Sequence, residues 1–295
     1  MQPTTTVLAG LAAAAILAAT QGVPTSQAAV DSVTIAAAGD IACDPDDRAY
    51  SSCSHPDTAA LVAQHGAAAV LPLGDSQYET GNAGDYLDAY ASSWGRFLRY
   101  TYPVPGNHEY LTAGASGYFD YFSARTERPG WYAFNVNGWR FYALNTECSK
   151  VDCAREAAWM RADVKAHPSR CQALFMHRPR YSSGQHGSSN IPKRFWAIAY
   201  NRHFELALAA HDHDYERFAE MDADGNVTSA GIRSFVVGTG GAELRGFRAN
   251  KATGSVYRHS GDHGVLFVKV SPTGYGWRYV TTDGATLDSG SDTCR

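Results

Sequence analysis

The stretch Val33-Thr34-Ile35-Ala36-Ala37-Ala38-Gly39-Asp40 is an apolar run that closes on Gly-Asp, and the pattern recurs at Ala69-Val70-Leu71-Pro72-Leu73-Gly74-Asp75. Short apolar runs closed by glycine read as buried strands that deliver a polar side chain to the rim of a sheet. Between them an amphipathic stretch predicts a helix from about Pro56 to Gln64. Strand, helix, strand is a βαβ unit, whose strands carry function at their carboxyl ends. Working outward, a second helix is expected from about Asp85 to Phe97 and a third from about Ala154 to Lys165. Tyr132 to Val136 and Arg140 to Leu144 flank Asn137-Gly138, a two-residue hairpin signal, so the sheet turns antiparallel there. Strands follow at Gln172 to Met176 and Phe204 to Ala210. From Phe218 to Ser289 short strands with turns at Asp224-Gly225, Pro272-Thr273-Gly274 and Asp283-Gly284 imply a second sheet. The expected fold class is α/β (α+β), with two facing mixed β-sheets flanked by helices.

The chain begins with an alanine-rich apolar run from Leu8 to Ala19 and then reaches Ser26-Gln27-Ala28, a small-residue cleavage pattern. Residues 1–28 therefore read as a secretory signal peptide, with a single domain over 29–295. No Lys or Arg precedes the run, yet it is shorter than the ~20 residues a spanning helix needs. A secreted, extracellular product with no membrane association after cleavage is expected. The formal charge of -4 is spread without long blocks, which argues against a nucleic-acid surface and favours a small diffusible substrate. Six cysteines in an exported chain point to disulfides. Closeness in sequence favours Cys43 with Cys53 and Cys148 with Cys153, leaving Cys171 for Cys294. No C-x-x-C spacing suggests a zinc site.

Five separated segments carry the chemistry: Gly39-Asp40, Gly74-Asp75-Ser76-Gln77-Tyr78, Gly106-Asn107-His108-Glu109, Met176-His177 and His211-Asp212-His213. Together they supply enough oxygen and nitrogen donors for two cations. Two neighbouring cations need a bridging anion, for which Asp75 is the candidate. Asp40 would serve one metal and Asn107 the other. His211 and His213 stand two apart, so an extended backbone points both to one side. His177 ends an apolar run and belongs at a strand tip. Gly238-Thr239-Gly240-Gly241 lacks a following Lys-Ser/Thr and reads as a loop near the site.

The ordered set G-D, G-D-x-x-Y, G-N-H-E, H and H-x-H-x-Y-E-R, spanning Gly39 to Arg217, resembles the calcineurin-like metallophosphoesterases and, among them, the compact purple acid phosphatases. The resemblance implies a four-layer metallophosphoesterase sandwich. It assigns Asp40, Asp75, Tyr78 and His213 to a first metal, and Asp75, Asn107, His177 and His211 to a second. It further implies two metal ions per chain, Fe(III) plus a divalent ion such as Zn, Fe, Mn or Mg, because a phenolate donor at Tyr78 suits a hard ion. Asn107, His108 and His186 would contact substrate, with His108 and His186 catalytic and either, once protonated, donating to the leaving alkoxide. Asp40-Ile41-Ala42 lacks the D-x-H histidine of the wider superfamily, as purple acid phosphatases do. Ala210 replaces the usual glycine of G-H-x-H. Glu109 is expected to orient His108 or a helix start, and Glu216 with Arg217 to form a buried support pair.

The expected reaction is hydrolysis of a phosphate monoester by hydroxide activated on the metals. A phosphodiesterase or nucleotidase on the same core is the alternative, with Trp131, Tyr181 and Trp196 as candidate stacking groups. A secreted binding module is a further one, opposed by the complete donor set.

Overall fold

The computed structural model describes residues 1–4, 31–47 and 52–295. From residue 5 onward, the expected leader and its cleavage point lie outside the described residues.

The strands β1 (Val33–Ala38) and β2 (Ala69–Pro72) run parallel, with Ile35 opposite Ala69 and Ala38 opposite Pro72. Helix α1 (His55–His65) connects them. Proline opens it, where an N–H would lack a partner, and Gly66 at φ 62° closes it by donating to the Val62 carbonyl.

The long helix expected from Asp85 to Phe97 is broken into a single turn α2 (Ala83–Asp85), a π turn at Tyr86–Tyr90 and a 3-10 segment at Trp94–Tyr100. Aromatic packing overrides the helical pattern. Tyr86 and Tyr90 seat their rings against Tyr121 of α3 (Ser116–Tyr121) at 5.0 and 5.5 Å. The indole of Trp94 donates to Thr58 Oγ1 (3.1 Å). The π turn, closed by Ala91 N–H on the Tyr86 carbonyl, supplies the extra residue that this placement takes.

Strands β3 (Tyr132–Val136) and β4 (Trp139–Ala143) form the expected hairpin, both turn residues having positive φ (Asn137 47°, Gly138 82°). Helix α4 (Cys153–Ala166) is capped by Asp152, whose side chain accepts from the Ala154 and Arg155 N–H groups at 3.0 Å each. The strand β5 (Cys171–Phe175) follows. Helix α5 (Lys193–Tyr200) has no counterpart in the sequence reading. Its Phe195, Trp196 and Tyr200 have weak helix preference, and tertiary burial of the first two holds it.

The remaining strands are β6 (Leu206–Ala209), β7 (Tyr215–Phe218), β8 (Arg233–Val237), β9 (Ser255–His259), β10 (Gly264–Ser271), β11 (Gly274–Thr281) and β12 (Thr286–Thr293). They are shared between two sheets, of order β12-β11-β10-β1-β2 and β3-β4-β5-β6-β8-β7-β9. The second sheet is thus not built from the late strands alone. The strand β10 pairs antiparallel with β1, Val270 opposite Val33, so the last strands extend the sheet that opens the chain.

Strand alternation sorts the core. Phe141, Ala143, Ala173, Phe175 and Leu208 join the cluster that also holds Ile35, Val265 and Phe267 of the other sheet. Their neighbours Tyr142, Leu144, Leu174 and Met176 face away and meet Met160 and Val164 of α4 and Trp196 of α5. Disulfides join Cys43 to Cys53, Cys148 to Cys153 and Cys171 to Cys294, the pairing that closeness in sequence favours. Among the described residues, no helix is long and apolar enough to cross a membrane.

Candidate metal centre

Four strand ends meet at one place. Asp40 follows β1, Asp75 follows β2, His177 follows β5 and His211 follows β6. Asp40, Asp75 and His211 adopt left-handed backbone (φ 55°, 45° and 71°), a conformation that costs a side-chain-bearing residue ~1–2 kcal/mol each. Backbone contacts hold the turns there: Asp40 N–H donates to the Gly74 carbonyl (3.1 Å), and His211 N–H donates to Asp40 Oδ2 (2.9 Å). Close approach fixes the neighbouring glycines. A Cβ on Gly106 would overlap Asp75 Oδ1, and one on Gly39 would lie 2.5 Å from the Ala210 Cβ. The alanine at 210 is therefore accommodated by the missing side chain at 39.

The donors fall into two groups that share Asp75. In the first, the Tyr78 hydroxyl lies 2.6 Å from Asp40 Oδ1, 3.4 Å from Asp75 Oδ2 and 3.0 Å from His213 Nε2. In the second, His177 Nε2 lies 3.1 Å from Asp75 Oδ2, 3.2 Å from Asn107 Oδ1 and 3.1 Å from His211 Nδ1. Asp75, His177 and His211 offer ligand atoms within 4.8 Å of one another, all buried. The far nitrogens of two histidines are fixed by carbonyls: His177 Nδ1 by Leu73 (2.9 Å) and His213 Nδ1 by Glu243 (2.6 Å). Such contacts select the tautomer whose other nitrogen is free to ligate.

Protonation follows from the same geometry. Burial opposes the charges of Asp40 and Asp75, but His213 and His177 respectively outweigh it and hold both carboxyls below their ordinary range. Burial also opposes the charge on His177, yet the Asp75 carboxylate raises it to about 10. His213 is raised likewise by Asp40 against burial. Burial, then the charges of His177 and Arg178, push His211 down to about 2. Burial, reinforced by Asp40 and Asp75, keeps the Tyr78 phenol protonated well above its usual range. A proton on His177, and the upward shift of His213, thus answer the two buried carboxylates. A cation answers the same need, and carboxylate, amide and phenol oxygens with imidazole nitrogens suit hard or borderline ions.

His108 and His186 flank the donors. The His108 ring packs tilted against the Tyr78 ring at 4.4 Å, with Nε2 4.0 Å from Asp75 Oδ2 and Nδ1 2.6 Å from the Glu79 carbonyl. His186 stacks at 4.2 Å on His211, and its Nε2 faces Arg245 Nη1 at 3.1 Å. Because arginine only donates, that nitrogen of His186 accepts. Burial, with Arg245 adding to it, keeps the ring below its usual pKa. A cavity of about 430 Å³ opens beside this side of the site, lined by Tyr78, Glu79, His108, His213, Arg245 and His263.

Two support assignments are corrected. Glu109 orients neither His108 nor a helix start; it accepts the N–H groups of Asp75 (3.0 Å), Ser76 (2.7 Å) and Gly106 (2.6 Å), tying two donor loops together. Glu216 and Arg217 do not pair, since successive strand residues point to opposite faces. Glu216 takes the Ser183 N–H and hydroxyl (2.6 Å each), while Arg217 binds Asp288 (2.7 and 3.0 Å). The nucleotide-stacking candidates do not face the site. Tyr181 and Trp196, the latter on α5, pack in the core, and Trp131 lines a separate surface hollow with Arg125 and Arg128.

The sequence reading overlooked Arg178. Its guanidinium reaches Asn107 Oδ1 (3.2 Å) and His211 Nε2 (2.9 Å), and the one signal for it is a charged residue directly after a strand-end histidine. Asp212 was also overlooked. It is buried and accepts the His186 N–H (2.6 Å), the Gly187 N–H (3.0 Å) and the Ser182 hydroxyl, which holds the loop carrying His186 in place.

Two facing sheets with seven metal-type donors at their rim define a metallohydrolase-like architecture. The family description "calcineurin-like phosphoesterase" matches residues 33–215, and the chain belongs to that family. The fold is shared with a purple acid phosphatase, PPD1, from yellow lupin seeds, at 18% identity and a TM-score of 0.71, covering 90% of this chain and 54% of that one. The chain therefore spans about half the length of the lupin protein. It is also shared with GAP50, the anchor in the inner membrane complex of Plasmodium (15% identity, TM-score 0.67, 90% and 89% covered), and with PhoD (13%, 0.62, 90% and 69%). No curated protein matches at the sequence level.

Proposed function

We propose that this chain is a secreted, dinuclear metal-dependent phosphatase that hydrolyses phosphate monoesters in the manner of purple acid phosphatases. The observation that carries this reading is the Tyr78 hydroxyl, within hydrogen-bond reach of Asp40, Asp75 and His213. That is a place for a phenolate donor to a hard ion such as Fe(III). Asp40, Asp75, Tyr78 and His213 would hold one ion, and Asp75, Asn107, His177 and His211 a divalent one. When bound, the pair supplies Lewis acidity toward phosphoryl oxygens and lowers the pKa of water.

The chain's own residues do the rest. Asn107 and His186 line the approach to the phosphoryl group. His108 is the better proton donor of the two histidines, because Nδ1 can donate to the Glu79 carbonyl while Asp75 faces Nε2. His186 accepts from Arg245 and so serves as a neutral contact. Secretion is supported by the leader-like residues 1–28 and by the three disulfides. The fold alone does not decide, since a Plasmodium anchor shares it; the complete donor set favours catalysis.

The test is metal analysis of the mature protein, with its visible spectrum and its hydrolysis of an aryl phosphate across pH. Two metals, a tyrosinate-to-iron(III) band and acidic activity are expected. Two colourless divalent ions would leave a phosphoesterase without the iron assignment. No metal and no hydrolysis would overturn the reading.

A further inference from the structure

Arg178 is built into this site at a cost. A guanidinium beside groups that gather cations repels those cations, and a neutral amide could give Asn107 and His211 the same hydrogen bonds. What only arginine adds is a fixed, planar positive fork for an anion. The fork is rigid. Glu147, itself 5% exposed, accepts from Nε (2.7 Å) and Nη2 (3.0 Å). Glu147 is placed in turn by its N–H on Asn145 Oδ1 (3.0 Å), and its carbonyl takes the N–H groups of Lys150 and Val151 inside the loop closed by Cys148–Cys153. The remaining edge points at the second donor group, with Nη2 on Asn107 Oδ1 (3.2 Å) and Nη1 on His211 Nε2 (2.9 Å). One N–H of Nη1 has no acceptor among the described residues, and the side chain is 23% exposed, so it can be reached.

We propose that Arg178, clamped by Glu147, grips the anionic phosphoryl group and biases the site toward dianionic monoesters over monoanionic diesters. The inference rests on the phosphoesterase reading above and deepens it. Glu147 and the small disulfide loop are positioning elements for that grip. The opposing possibility is that Arg178 only orients Asn107 and His211, in which case its loss acts through metal retention.

The experiment uses the metal-loaded protein, with inorganic phosphate titrated calorimetrically and metal content measured on the same samples. Aryl phosphate and bis-aryl phosphate hydrolysis are compared in parallel. Arg178→Gln should keep its metals and bind phosphate at least about tenfold more weakly, the worth of one charge-assisted hydrogen bond. Its monoester-to-diester ratio of kcat/KM should fall by a similar factor, with Arg178→Lys between it and wild type. Phosphate affinity within twofold of wild type at equal metal content would overturn the proposal. So would a loss that tracks metal content and recovers on metal saturation. If the wild-type protein hydrolysed neither ester yet bound phosphate through Arg178, the anion grip would stand and the phosphoesterase reading would fall.

Discussion

Replacing Glu109 by glutamine should unsettle the site from below. The carboxylate is fully buried and carries four donors. Oε2 takes the N–H groups of Asp75 and Gly106, and Oε1 takes the Ser76 N–H and the Tyr86 hydroxyl (3.0 Å). Burial, with the Asp75 charge, pushes the Glu109 carboxyl above its ordinary range, while the backbone N–H groups favour the ionised form. A glutamine offers one acceptor oxygen. In its less costly orientation the amide nitrogen replaces Oε1: the Tyr86 hydroxyl can turn to accept, but the Ser76 N–H is stranded. A buried unpaired donor costs about 1–3 kcal/mol, and the two remaining N–H groups lose a charged acceptor, so about 2–4 kcal/mol in all is expected. At this chain length that corresponds to a Tm lower by roughly 4–8 °C. Thermal unfolding by circular dichroism, run on metal-loaded and chelator-stripped protein at neutral pH, measures it. Glu109→Gln within about 2 °C of wild type would refute the reasoning, because it would mean that Glu109 is protonated in the native protein and already behaves as a neutral donor.

Other perturbations give separate readouts. Asp75→Ala should abolish retention of both metals, since Asp75 Oδ2 faces both Tyr78 and His177; retention of two metals by elemental analysis would sink the bridging assignment. His186→Ala should leave metal content intact and slow turnover of an aryl phosphate, because its ring stacks on His211 from the loop side; unchanged kcat and KM would remove it from the substrate contacts. Asp214 tests pH. Burial, then Asp212 and Glu216, raise its carboxyl to about 9, so the fold retains a proton that the unfolded chain releases near 4. Its contribution is therefore full below about pH 4 and is lost as pH rises toward 9, with a slope of up to about 1.4 kcal/mol per pH unit. Asp214→Asn should flatten the stability–pH curve between pH 5 and 8, and denaturant titrations showing parallel curves for the two proteins would contradict this.

What could be read in the sequence was what depends on neighbours along the chain. The runs that end at Gly39-Asp40 and Gly74-Asp75 are local, and they locate the parallel strands and the donors at their tips. The hairpin at Asn137-Gly138 is likewise legible, because type I′ geometry selects those two residues. What escaped depends on distant partners. Nothing near Gly264–Ser271 says that it will lie beside β1, so the sequence alone suggests a sheet of their own for the late strands. Of the backbone donors to Glu109 only Gly106 is close in the chain; Asp75 and Ser76 lie 34 and 33 positions away and reach it only when the two strand-end loops meet. Glu216 and Arg217 looked paired because they are adjacent, and adjacency on a strand is what separates them. The same logic explains Arg178, invisible as a site residue until Glu147 and Asn107 converge on it from different loops. Family motifs name the atoms that touch a metal. The groups that hold those atoms still, Glu109 and Glu147 among them, are chosen by the packing of this particular chain.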